Sequence, residues 1–149
     1  MTLNEAGQLR EEAHRLRRAL DEALAAGEFA DHPVLVSFPS GTCGLISEFV
    51  CQYLRDRGLG SWEYVPGERH SPSTGEWQGT HGWARQGQVV IDLTADQFDG
   101  EGRPPVWAGE SDDWYRSWEE GNSRVPEDVE TDGMDRAAYE VMLRYARKA

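Results

Sequence analysis

Cysteine is scarce in this chain, basic charge is outnumbered, and no long apolar run occurs. Cys43 and Cys51 are the only thiols in 149 residues, which excludes a disulfide-stapled scaffold. If one helix carries both, their spacing holds them roughly 12 Å apart along the axis, beyond the reach of a bridge. Free thiols fit a reducing compartment, so the cytoplasm is the expected location. No stretch approaches the length and apolarity of a membrane-spanning helix. The opening MTLNEAGQLREEAHRLRRAL is charged throughout and lacks a segment of signal-peptide type. Lys and Arg number 15 against 27 Asp and Glu, a formal charge of -12. Such a surface repels phosphate backbones, so nucleic acid and anionic membranes are not expected partners. It suits a hydrated surface or a cationic partner.

Motifs are also missing. The G-x-S-x-G elbow, the P-loop and the G-x-G-x-x-G fingerprint do not occur. Cys43, His70, His81 and Asp92 could be gathered into a zinc site only without a close ligand pair such as C-x-x-C. Neither metal nor cofactor is expected. No internal repeat appears.

What is present is enough for one core. The hydrophobic fraction is 38%, with 6 Trp, 5 Tyr and 4 Phe, and the length fits a single domain over residues 1–149. Leu3, Leu9, His14, Leu16, Leu20, Leu24 and Ala25 trace a helical stripe over 3–27, stopped at Gly27. Residues 32–39, punctuated by prolines, read as an extended entry. In CGLISEFVCQYLRDRG, Leu45, Ile46, Phe49, Val50, Tyr53 and Leu54 recur at helical spacing, and Gly58 ends the run. SWEYV, THGWAR and VVIDLT read as strands, with a polar loop between Pro66 and about Gly79. The segment 99–133 reads as loops with a short helix around 111–120, and 134–148 as a C-terminal helix. The order implies an α+β fold with an antiparallel sheet.

Chemistry centres on Cys43. Ser40-Gly41-Thr42 supplies turn and N-cap residues, so Cys43 falls in the first turn of the best-patterned helix. Unpaired amides and the helix dipole there favour negative charge on sulfur. The same amides can stabilise an oxyanion on an attacked carbonyl. Cys51, mid-helix, belongs to the core.

Two strands supply partners. A two-residue loop at Gln86-Gly87 would set Arg85 opposite Gln88, Trp83 opposite Val90 and His81 opposite Asp92. Asp92 interrupts an apolar strand, and a carboxylate buried there needs a partner. His81 is the partner this register offers. The pairing fits a carboxylate that orients an imidazole. His32 and His70 read as solvated loop residues.

Gly41-Thr42-Cys43 opening a helix, His81-Gly82-Trp83 on a strand and Asp92 on the next resemble the core of the papain-like and transglutaminase-like superfamily. The resemblance covers roughly residues 38–98. It implies an antiparallel sheet packed against a helix with the cysteine at its N-terminus. It also implies Cys43 as nucleophile, His81 as general base and Asp92 as orienter. Papain-like peptidases place a Gln shortly before the cysteine, and residues 37–42 contain none. Thr42, Gln97, Asp96 and Trp83 are therefore candidates to supply oxyanion contacts or line the site, with Asp96 also a reserve third member. The implied activity is thiol-dependent hydrolysis or transfer at a peptide, isopeptide or side-chain amide of a peptide or protein substrate, through a thioester. The alternative is an inactive module of the same fold that binds a peptide or protein in a pocket formed by Trp83, Trp107, Trp114 and Trp118. The sequence leaves the acceptor and the oligomeric state open.

Overall fold

The computed structural model describes residues 1–148. Its elements are α1 (Leu3–Ala25), α2 (Cys43–Asp56), β1 (Glu63–His70), β2 (Trp77–Gln86), β3 (Val89–Asp92), β4 (Trp107–Glu110), α3 (Asp113–Arg116), β5 (Glu119–Glu120) and α4 (Met134–Ala146). The strands form one antiparallel sheet in the order β4-β3-β2-β1-β5. The chain is therefore α+β. No helix among the described residues is long and apolar enough to cross a membrane.

Both faces of the central strands are covered. Ala84 and Ile91 face a core built with Leu16 and Leu20 of α1, Phe49 and Leu54 of α2, and Met142 of α4. Their strand neighbours Trp83 and Val90 point the other way, into a second cluster with Val65, Tyr115 and Trp118. This two-sided burial is why VVID reads as a continuous run rather than an alternating one.

Several expectations are corrected. α1 starts from a capping box, in which Thr2 Oγ1 accepts the Glu5 N–H and the Glu5 carboxylate accepts the Thr2 N–H. Its buried stripe runs through Leu9, Ala13, Leu16, Leu20 and Ala23; Leu3 is 93% exposed, and His14 also faces outward. Residues 32–39 are turns with a 3-10 segment at Leu35–Ser37. His32 is buried there, not solvated. Its Nδ1 accepts the Val34 and Leu35 N–H groups, and Nε2 lies 2.9 Å from Asp135. The polar loop shrinks to residues 71–76, because β1 and β2 continue past the apolar residues that marked them.

The β2–β3 register also differs. Gln86 pairs with Val89 and Ala84 with Ile91, so the loop is Gly87-Gln88. Gly87 has φ 60°, whereas among the described residues only glycines have positive φ. A two-residue turn with only its first central position in that region is the Gly-first type II′. A loop starting at Gln86 would place glycine second. The resulting slip is two residues, which keeps every side chain on its expected face.

Candidate active site

Continuing the observed register, Asp92 lies beside Trp83, with His81 diagonal to it on the same face. Diagonal neighbours remain within reach of a long side chain. His81 Nε2 lies 2.7 Å from Asp92 Oδ2, and both side chains are essentially buried. A carboxylate only accepts, so Nε2 carries the proton toward Asp92 and Nδ1 is the nitrogen left to act.

Three residues satisfy Asp92. Oδ2 also accepts the Tyr115 hydroxyl at 2.9 Å, while Oδ1 accepts the Thr94 amide at 3.0 Å. Tyr115 was not singled out from the sequence. It lies in the short helix expected around 111–120, found as α3, and nothing in Asp112-Asp113-Trp114-Tyr115 signals a bond to a residue so far back. Burial next to Asp92 raises the Tyr115 phenol well above its ordinary range and keeps it a donor.

His81 sits in an aromatic enclosure. Phe98, Trp114, Trp118 and Trp83 have ring centroids 5.1, 5.5, 5.7 and 5.8 Å from the imidazole. Two arginines fasten this cover. Arg103 stacks on Trp107, Trp114 and Tyr115 and pairs with Asp112. Arg69 stacks on Trp118 and forks onto Glu101. The segment read as loops with one short helix thus supplies the roof of the His81–Asp92 pair.

Cys43 opens α2, as the pattern Gly41-Thr42-Cys43 leads one to expect. Thr42 does not cap the helix with its side chain; its hydroxyl donates to the Pro39 carbonyl at 2.8 Å. The first amides of α2 are therefore left without a side-chain acceptor. Cys43 is half-buried and Cys51 buried, and both are free thiols. Burial pushes the Cys51 thiol up to about 12. The Cys43 sulfur is close enough to the His81 ring to influence its titration. It makes no hydrogen bond of ordinary geometry to the ring, and Nδ1 is buried with no partner among the described residues. Desolvation lowers the His81 pKa, but the Asp92 charge and hydrogen bond, with Cys43 adding to them, raise it further, to about 9.

Cys43 and His81 line one cleft of about 560 Å³ with Tyr64, Glu68, Thr80 and Glu119. The Tyr64 ring lies diagonally across Gly82, where a methyl group would come within 2.5 Å of it. A methyl on Gly44 would lie 3.6 Å from the Tyr64 hydroxyl. The phenol thus reaches the start of α2. Tyr64 is a second residue that the sequence reading did not select, since alternation in SWEYV marks only a strand.

The remaining candidates have other duties. Gln97 Oε1 accepts the Gly41 N–H and Nε2 donates to the Thr94 carbonyl, so it braces the cysteine turn with both ends of its amide engaged. Asp96 is forked by Arg17, which also donates to the Leu93 carbonyl; it anchors the turn after β3 to α1 and does not touch His81. Trp83 is buried in the second core and lies outside the cleft lining. Thr42, fully buried, shapes the turn. His70 is exposed at the end of β1. No group of three or more His, Cys, Asp or Glu among the described residues is placed to hold a metal ion.

No family model, curated protein or solved structure matches this chain.

Proposed function

We propose that this chain is a thiol-dependent amide hydrolase or acyltransferase of papain-like or transglutaminase-like type, acting through Cys43, His81 and Asp92. The observation that carries the reading is the buried His81–Asp92 bond of 2.7 Å, with Nδ1 left without a partner among the described residues and His81 lining the same cleft as Cys43. A pKa near 9 on His81 favours movement of the thiol proton onto Nδ1. Cys43 Sγ then attacks the carbonyl carbon of an amide. The oxyanion is met by the uncapped amides of α2 and by the Tyr64 hydroxyl, in place of the missing Gln. Collapse breaks the C–N bond, and the imidazolium gives its proton to the departing amine. Water from solvent, or a second amine, attacks the thioester and returns the thiol. Peptides or proteins are the substrate class, and two free thiols are compatible with the cytoplasm.

The alternative of an inactive binding module needs an aromatic pocket, but Trp83 and Trp118 are buried and Trp107 and Trp114 are stacked on Arg103. The cleft beside Cys43 has acid and hydroxyl groups for walls instead. Labelling with iodoacetamide at neutral pH, read by peptide mass spectrometry, tests the reading. Selective modification of Cys43, slowed by His81→Gln, is expected; equal slow labelling of Cys43 and Cys51 would favour the module.

A further inference from the structure

Three acids line the cleft, Glu68, Glu119 and Glu120. Glu120 is matched by Arg85, as Glu63, Glu101 and Glu48 elsewhere are by Arg85, Arg69 and Arg124. The other two are not. Glu68 on β1 and Glu119 on β5 stand directly opposite each other in the ladder, both exposed, and neither forms an ion pair among the described residues. Like charges in that position repel, and the sheet is less stable for them. On its other side Glu68 faces Thr80, which contributes no charge. All three line the cleft that holds Cys43. His81 lines it too, 1% exposed, with a buried Nδ1 that lacks a partner among the described residues. A reactive centre and an uncompensated pair of carboxylates therefore share one cavity, of a size suited to a small ligand or side chain.

We infer that this cleft takes a substrate bearing a cationic group of lysine or arginine type, seated between Glu68 and Glu119 beside the carbonyl that Cys43 attacks. The inference rests on the thiol acyl-transfer reading above and adds the substrate's charge to it. An ammonium or guanidinium there relieves the repulsion between the carboxylates. Anionic substrates meet it in full. The overall charge of -12 adds a weaker attraction in the same direction.

Three methanethiosulfonates test this without a known substrate: neutral methyl, cationic trimethylammonium-ethyl and anionic sulfonatoethyl. In each case the Cys43 sulfur attacks the sulfenyl sulfur, a disulfide forms and a sulfinate leaves. Rates at Cys43 are compared with those of free cysteine at low salt. The expected cationic-to-anionic rate ratio exceeds that of free cysteine by about tenfold or more, and Glu68→Gln/Glu119→Gln removes most of the excess. That double variant relieves a repulsion, so its melting temperature is expected to match or exceed the parent's. The control Glu11→Gln/Asp31→Asn removes the same charge elsewhere and is expected to keep the ratio. A parental ratio equal to that of free cysteine, or a control that lowers it as much as the double variant, overturns the inference while Cys43 remains reactive. Failure of all three reagents at Cys43 in the folded protein overturns the underlying reading with it.

Discussion

His81 and Asp92 meet at 2.7 Å across a diagonal of the sheet, not across a directly paired position. The diagonal leaves room for Tyr115 and Thr94 to reach the same carboxylate. Asp92 thereby accepts hydrogen bonds from three residues.

Removing the charge and removing the side chain therefore have different consequences. Asp92→Asn keeps the shape but loses the anion that holds His81 in its tautomer, and the reaction at Cys43 is expected to slow by a factor on the order of 10⁴ with the fold retained. Asp92→Ala strands the Tyr115 hydroxyl, the Thr94 amide and His81 Nε2, and is expected to cost about 3–5 kcal/mol of stability. Chemical denaturation beside Cys43 alkylation rates checks both. If Asp92→Asn leaves the Cys43 rate intact, Asp92 has only a structural role.

The titration of His81 has a sign that can be measured. Its pKa rises on folding from an ordinary 6.5 to about 9, so the folded state binds the proton more tightly than the unfolded one. The associated stability is fully present below about pH 6.5 and is lost as pH rises through about 9. Melting curves for the parent and His81→Gln from pH 6 to 10 are expected to converge as pH rises through that window. A gap that widens there contradicts the assignment.

Tyr64 is expected to matter for acylation and not for alkylation, because only acylation forms an oxyanion. Tyr64→Phe is expected to slow acyl transfer from an activated ester by about 10²-fold while leaving iodoacetamide labelling within about twofold. Gly82→Ala pushes the Tyr64 ring aside, since the new methyl would lie 2.6 Å from its hydroxyl, and should show the same split with some loss of stability. Equal losses in both reactions would give Tyr64 a packing role alone.

Much of this site was legible in the chain because each clue had a local physical cause. The turn residues before Cys43 and the spacing of α2 marked a helix start, and a carboxylate inside VVID demanded a partner. The face shared by His81 and Asp92 survived a wrong loop because a two-residue slip preserves side-chain direction. What stayed hidden depends on distant packing. Tyr115 and Tyr64 carry no mark of their contacts, and Asp96 and Gln97 looked available only because Arg17 and Gly41 lie so far off in sequence. The roof over His81 was equally illegible, since Arg69 and Arg103 organise it through stacking across loops.

The most direct measurement is the capture of an acyl-enzyme. Brief reaction with p-nitrophenyl acetate, followed by acid quench and intact-mass and peptide mass spectrometry, reports whether and where an acetyl group is held. The expected result is a burst of nitrophenol matched by a thioester on Cys43 that decays with turnover. It should be absent in Cys43→Ala and strongly reduced in His81→Gln. A chain that shows no burst, or that carries acetyl groups only on its lysine, its N-terminus or Cys51, contradicts the thiol acyl-transfer account.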